Sequence, residues 1–163
     1  MPRGTTAQTR ALQRDLFSRR WRHPAATPDK EVNMQIELAD KLRWCLRENV
    51  CWFHVPNGEI RNKRTAAKLK AMGVQPGVAD LLFMWKRYSE GSEGSHTECG
   101  VLFLELKLPG RTASEPQIMF GRRARDAGAD YVVARSVGQA LEILDSHALL
   151  RRDRRVYGPG STR

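Results

Sequence analysis

Three charged side chains lie inside segments of the sequence that are otherwise apolar. Asp80 lies within residues 77–83, and Glu105 and Lys107 lie within residues 101–107, about twenty-five residues further on. Two carboxylates beside one ammonium group suit a hard divalent cation such as Mg²⁺ or Mn²⁺, which prefers oxygen ligands. The lysine then serves as a positioned base beside the cation.

The spacing of Glu105 and Lys107 places both on one face of a predicted strand. Side chains alternate across a strand, so these two lie roughly 7 Å apart and share their face with Val101 and Phe103. Burying a charge is costly unless it is paired or used. An isolated Glu-x-Lys is usually an ion pair on an edge strand, but Asp80 favours a functional site. It comes beside Glu105 if the two segments are neighbouring antiparallel strands.

An Asp, a gap and then Glu-x-Lys form the pattern of the PD-(D/E)XK nucleases, with Ala79-Asp80 where that family often has Pro-Asp. The flanks resemble the VRR-NUC branch of that superfamily over about residues 31 to 145. The matching segments are His54-Val55-Pro56-Asn57-Gly58, the basic run of residues 61–70, Met72-Gly73-Val74, Pro76-Gly77-Val78-Ala79-Asp80, Phe103-Leu104-Glu105-Leu106-Lys107, Ser114-x-x-Gln117, Ala127-Gly128-Ala129 and Val133-x-Arg135. The proline of the usual Ser-Pro-x-Gln comes one residue late here, and only part of the usual Val-Arg-Arg is kept.

The resemblance implies an α/β fold with a PD-(D/E)XK, restriction-endonuclease-like core, in which helices flank a central mixed sheet of about four strands. It implies that Asp80, Glu105 and the Leu106 carbonyl hold one or two Mg²⁺ or Mn²⁺ ions. Lys107 would position or deprotonate the attacking water, and Gln117 would orient it. From the local pattern alone, Gln117 would only form a helix capping box with the preceding serine.

The predicted helix of residues 29–49 has one side, expected to face the sheet, that carries Glu31, Gln35, Leu38, Leu42, Cys45 and Leu46. Glu31 therefore faces the sheet, and the resemblance implies that it joins the metal site. An acid near a helix N-terminus is more usually a capping or dipole partner. Trp44 lies on the opposite, polar side.

Residues 61–70 carry five cations and no acid, and they predict a basic helix that runs to about Met72. A solvated helix face is the alternative, but the position just before Asp80 favours contact with phosphates. The predicted nucleic-acid contacts are Asn57, Arg61, Lys63, Arg64, Lys68, Lys70 and Arg111.

The net charge of +10 is concentrated in the two tails. Residues 1–30 hold seven Lys or Arg against two acids, and residues 151–163 hold five against one. We predict a basic arm (1–28), a nuclease domain (29–148) and a basic tail (149–163), with disorder in the arm and tail. Basic arms attract phosphates without reading sequence, although this arm could instead serve only solubility.

Strands are predicted over residues 50–55, from Gly77 to about Lys86, over residues 101–107 and over residues 131–134. Residues 88–100, rich in Gly, Ser and Glu, predict an exposed hairpin loop. Further helices are predicted over residues 117–127 and after Ser136.

Cys45, Cys51 and Cys99 form no C-x-x-C pair, and their spacing with His54 and His96 fits no common zinc pattern, so packed cysteines are predicted.

No segment has the length of a membrane helix, and the N-terminus lacks the apolar core of a signal peptide, so we expect a cytoplasmic protein. The resemblance to small stand-alone VRR-NUC proteins implies a bacterial or phage origin. Small VRR-NUC proteins resemble dimeric junction-resolving enzymes, which implies a homodimer that cuts branched or Holliday-junction DNA. Alternatives are a flap or single-strand repair nuclease, a non-cleaving module that binds DNA or a protein partner, or an RNA-processing or repair scaffold whose acids only form ion pairs.

Overall fold

A computed structural model describes residues 29–56, 63–91 and 94–151. Within these ranges the backbone alone is described for Lys63, Arg64, Ala66 and residues 89–96. The elements in chain order are α1 (Lys30–Cys45), β1 (Val50–His54), α2 (Lys63–Ala71), β2 (Leu81–Gly91), β3 (Gly94–Leu106), α3 (Glu115–Asp126), β4 (Asp130–Ala134) and α4 (Val137–Ser146).

The four strands form one sheet in the order β1-β2-β3-β4. The β1–β2 and β2–β3 pairs are antiparallel, whereas β3 and β4 are parallel and are joined through α3. The predicted α/β fold with a mixed sheet of about four strands is therefore confirmed. In the register, Leu81 pairs with Leu104, which brings Asp80, one residue earlier, alongside Glu105.

One face of the sheet, here called the closed face, carries the main apolar core. The predicted sheet-facing side of α1 lies against it, with Leu38 and Leu42 fully buried, and Leu144 of α4 packs there as well. The strands contribute alternate residues: Leu81, Phe83, Trp85, Leu102, Leu104 and Leu106. Because every second strand residue faces this core, the intervening residues face the other side.

The other face, here called the open face, is covered by α3 only over β3 and β4. Phe103 meets Phe120 edge-on with ring centroids 5.1 Å apart, and Tyr131 packs against the same helix. On β1 and β2 the apolar residues of this face reach solvent, with Phe53 46% and Met84 39% exposed. The row that contains Asp80 and Glu105 lies on this face, at the end of the sheet.

Three sequence expectations need correction. Residues 88–91 and 94–100, predicted as part of a loop, are strands, because β2 and β3 continue as a paired two-stranded ribbon to Gly91 and Gly94, which satisfies their backbone groups. The packed domain does not end at 148, since Leu149 and Leu150 are 1% and 3% exposed. Cys45 is buried as expected, but Cys51 and Cys99 are exposed, because they point to the open face.

The helices of the described ranges are too short or too polar to cross a membrane.

Candidate active site

Asp80 and Glu105 are held together by the sheet and by one side-chain contact. The Leu106 amide donates a hydrogen bond of 2.8 Å to Oδ2 of Asp80. The Asp80 carboxylate thus bridges from the start of β2 to the end of β3, one residue beyond Glu105. The two acids that the sequence placed together are adjacent in the structure.

Glu105 is the one buried charged residue of the described core, with 1% of its surface exposed. Its Oε1 atom accepts a contact of 2.8 Å from the Lys107 ammonium group and a hydrogen bond from the Gln117 side-chain amide. Its Oε2 atom is buried and has no hydrogen-bond partner among the described residues. One oxygen of Glu105 therefore accepts from two side chains, whereas the other accepts from none among the described residues.

The orientation of Gln117 follows from the first turn of α3. Its Oε1 atom accepts a hydrogen bond of 2.8 Å from the Ser114 amide, as the predicted capping box requires. The amide oxygen is thereby fixed on the helix terminus, so the NH₂ group must point away, and it donates to Glu105. The capping and active-site interpretations of Gln117 are compatible, since one side chain serves both contacts.

Gly77 lets the Asp80 loop approach this helix terminus closely. Its backbone has φ +78°, and a Cβ atom there would lie 2.2 Å from the Pro116 carbonyl oxygen. Only glycine fits a left-handed conformation at such a contact. The loop before Asp80 and the turn that carries Gln117 are therefore packed backbone to backbone.

The ionisable groups of this row influence one another. Burial raises the pKa of Glu105 to about 7, and the charge of Asp80 adds to this while the hydrogen bond from Lys107 opposes it. Burial also raises the pKa of Asp80, against the hydrogen bond from the Leu106 amide. For Lys107, burial lowers the pKa, but the hydrogen bond and charge of Glu105 outweigh it and the pKa is raised. The acids of the site stabilise a neighbouring positive charge, so the Lys107 ammonium group keeps its proton at neutral pH.

Glu31 lies near this row but is engaged elsewhere. Its Oε1 atom accepts a hydrogen bond of 3.2 Å from the Leu108 amide, just after Lys107. No three His, Cys, Asp or Glu side chains of the described residues form a group that could hold a metal alone. A cation site here would combine Asp80 and Glu105 with backbone or water oxygens, as Mg²⁺ sites commonly do. A metal-binding role for Glu31 stays a prediction.

The predicted nucleic-acid contacts are only partly described. Lys68 and Lys70 are exposed on α2, which leads into the loop before Asp80, and Arg111 is exposed in the loop after Lys107. The side chains of Lys63 and Arg64 are not described, and Asn57 and Arg61 lie outside the described residues. The described cations therefore lie on the helix that precedes Asp80 in the chain and in the loop that follows Lys107.

Two residues near the site were not predicted to act there. Arg135 donates to the Arg111 carbonyl at 2.6 Å and so holds the loop that follows Lys107. His54 contacts the Asp80 carbonyl at 2.8 Å. Both lie in segments that resemble the VRR-NUC pattern, which was the available signal, but their contacts depend on the tertiary structure.

Comparison with solved structures supports the fold. A structure described as a "VRR_NUC domain protein" matches with a TM-score of 0.54 and 19% sequence identity, over 76% of this chain and 93% of that chain. No protein-family model matches the sequence, and no curated protein matches it. The chain therefore has the fold of a VRR_NUC domain.

Proposed function

We propose that this chain, which has the fold of a VRR_NUC domain, is a metal-dependent DNA endonuclease that hydrolyses phosphodiester bonds. The observation that carries the proposal is the different environment of the two carboxylate oxygens of Glu105. Its Oε1 atom is occupied by Lys107 and Gln117, while Oε2 is buried without a hydrogen-bond partner among the described residues. A buried carboxylate oxygen without a partner is costly in a purely structural ion pair. It is what a cation ligand requires.

The donor set fits Mg²⁺ or Mn²⁺ and does not fit a softer metal. Asp80 and Oε2 of Glu105 supply carboxylate oxygens, and the Leu106 carbonyl is the proposed third protein ligand. Burial raises the pKa values of both acids, because it disfavours their ionised forms, and a bound cation would stabilise those forms. When bound, the cation polarises the phosphate, stabilises its added charge and lowers the pKa of a bound water.

The residues around the acids have separate tasks in hydrolysis. The water oxygen forms a bond to phosphorus while the bond between phosphorus and the leaving ester oxygen breaks. The attacking water gives up one proton, and the leaving oxygen takes up one proton. Lys107 is an ammonium group in this setting, so it donates hydrogen bonds that orient the water and offset charge on the phosphate. It can act as a base only after its pKa falls. Gln117 fixes Glu105 and, through it, the position of Lys107.

We propose branched DNA as the substrate and a homodimer as the active form. The exposed lysines of α2, the helix that precedes Asp80 in the chain, suit phosphate contacts. Two exposed apolar surfaces are candidates for a subunit interface. One is the uncovered part of the open face, with Phe53 and Met84, and the other is the outer side of α1, where Trp44 is 62% exposed.

The proposal is tested by cleavage of labelled four-way junction, flap and duplex DNA in Mg²⁺ or Mn²⁺. Glu105→Ala and Lys107→Ala should abolish cutting, while binding to the same DNA in Ca²⁺ should persist. Glu98→Gln is the matched control, because Glu98 is an exposed strand acid that pairs with Arg87.

Preference for the junction supports the resolving enzyme, and preference for the flap would replace it with a repair nuclease. Tight binding without metal-dependent cutting would mean that the chain is a DNA-binding module. Light scattering of the native protein tests the dimer.

A further inference from the structure

The ring of His54 lies against the backbone of Asp80. Its Nδ1 atom is 2.8 Å from the Asp80 carbonyl oxygen, and the Val55 amide donates to the same oxygen at 2.8 Å. Asp80 precedes β2, so its carbonyl lies at the margin of the ladder, where a single backbone hydrogen bond frays readily. Two donors hold this carbonyl in place of one.

The contact fixes the tautomer of His54. A backbone carbonyl only accepts hydrogen bonds, so Nδ1 must carry the proton. The side-chain amide of Gln35 contacts the same nitrogen from α1 through the atom assigned as Nε2. Because two donors cannot face each other, we assign this amide the flipped orientation, in which its oxygen accepts from Nδ1–H. The ring is therefore held between a helix packed on the closed face and the strand that begins after Asp80.

This chain of contacts ends at a side chain of the proposed metal site. The peptide that follows Asp80 is fixed by His54 and Val55, and the Asp80 carboxylate is fixed by the Leu106 amide at 2.8 Å. If the peptide shifts, the carboxylate loses its alignment with Leu106 and with Glu105. Groups that orient metal ligands in this way commonly contribute about 10- to 100-fold in affinity or activity.

We infer that His54 is a positioning residue, which holds the Asp80 carboxylate in place through the hydrogen bond from Nδ1–H to the Asp80 carbonyl, and that Gln35 orients its ring. The consequence for metal binding rests on the proposed function, whereas the contact itself acts in the metal-free protein. The inference gives His54 no proton-transfer role.

Two substitutions of His54 separate this role from others. The side-chain amide of His54→Asn places its NH₂ group near the position of Nδ1, so it keeps the donor to Asp80. The longer His54→Gln places its NH₂ group near the position of Nε2 and loses that donor. His147→Gln is the control, because His147 is a half-buried histidine that pairs with Asp130, away from the acidic row.

The first readout is hydrogen exchange of the Leu106 amide in metal-free protein, since that amide donates to the Asp80 side chain. His54→Gln should speed its exchange by about tenfold or more, and His54→Asn should leave it near the native rate. The Leu102 amide, opposite Phe83 and two residues further into the β2–β3 ladder than Leu104, should change in neither variant. Acceleration at both amides alike would mean that the ring only stabilises the fold, and would overturn the inference.

The second readout is the Mn²⁺ dissociation constant by calorimetry. It should rise about 10- to 100-fold in His54→Gln and stay near the native value in His54→Asn and His147→Gln. Native exchange and native affinity in His54→Gln would contradict the inference, as would equal losses in both His54 variants. If the native protein binds no Mn²⁺ while the Leu106 amide still responds as described, the proposed function fails and the positioning role stands.

Discussion

The two faces of the central sheet are built from the same strands but are organised differently. The closed face is covered by α1 and α4, and its strand residues, such as Phe83 and Leu104, are fully buried and apolar. The open face is covered by α3 alone, and its end row carries Asp80, Glu105 and Lys107. Because side chains alternate, residues next to each other in β3 serve stability and chemistry in turn.

The difference shows how this fold supports a strained electrostatic site. A buried acid with one unpartnered oxygen is unfavourable for folding, and the closed face supplies apolar burial that offsets it. The two faces should therefore respond differently to substitution. Substitutions on the closed face should lower the stability of the protein, whereas substitutions in the end row of the open face should lower its activity.

Glu105→Gln should have the largest effect on activity. It removes the charge of the proposed ligand but keeps its shape and its contact with Gln117. We expect cleavage to fall about a thousandfold or more, which is about 4 kcal/mol in the barrier. Initial rates on junction DNA in Mn²⁺ measure it, beside Glu98→Gln. Loss in both variants would show that the effect is not specific to the site.

Leu104→Ala should have the largest effect on stability. Leu104 is 0% exposed in the closed-face core, so truncation should cost about 2–5 kcal/mol in the free energy of unfolding. Met84→Ala on the open face is the matched case, and it should cost less because Met84 is 39% exposed. Urea unfolding measures both. Equal costs would mean that the open face is as well packed as the closed one.

The metal-free protein should lose stability as the pH rises from about 4.5 to about 7. Glu105 has a pKa of about 7 in the fold against an ordinary value of 4.5, so the folded state holds more protons between these values. The shift corresponds to about 3 kcal/mol. Glu105→Gln lacks this titration, so its stability relative to the native protein should rise across the window. Urea unfolding at several pH values tests this, and a constant difference would contradict it.

Gly77→Ala should impair both stability and cleavage, whereas Gly73→Ala should affect stability alone. Both glycines have positive φ, so each substitution should cost about 1–2 kcal/mol from the backbone. A Cβ at Gly73 meets no atom within 4 Å, but at Gly77 it would strike the Pro116 carbonyl and displace the turn that holds Gln117. We expect an additional loss of about tenfold in cleavage rate for Gly77→Ala only. Equal rates would mean that this packing does not position the site.

The smallest effect should come from the basic helix. Replacing Lys68 and Lys70 together by Ala should weaken DNA binding at low salt and reduce the slope of log affinity against log salt by about 1–2. The fold should be unaffected, because both side chains are exposed. Titration of labelled DNA at several salt concentrations measures the slope. An unchanged slope would place the DNA elsewhere.

The acidic row was predictable because it follows from local rules. Strand alternation placed Glu105 and Lys107 on one face, and antiparallel pairing placed Asp80 beside them. The capping box of Gln117 was also readable, although its second contact with Glu105 depends on how α3 packs.

Other features were not predictable from local composition. Residues 88–100 have the composition of a loop, but residues 88–91 and 94–100 form strands, because these two segments pair with each other rather than with the core. Leu149 is buried by contacts with residues about a hundred positions earlier, including the hydrogen bond from the Arg47 amide. The contact between His54 and Asp80 likewise joins residues that are close only in the folded sheet.

The most direct test of the central claim is a crystal structure grown with Mn²⁺, with the ion located by its anomalous scattering. The account predicts an ion bound to Oε2 of Glu105 and to the Asp80 carboxylate, at about 2.0–2.3 Å as for small hard cations. Lys107 and Gln117 should remain on Oε1. An ion that displaces Lys107 from Oε1, or a site without an ion at saturating Mn²⁺, would contradict it.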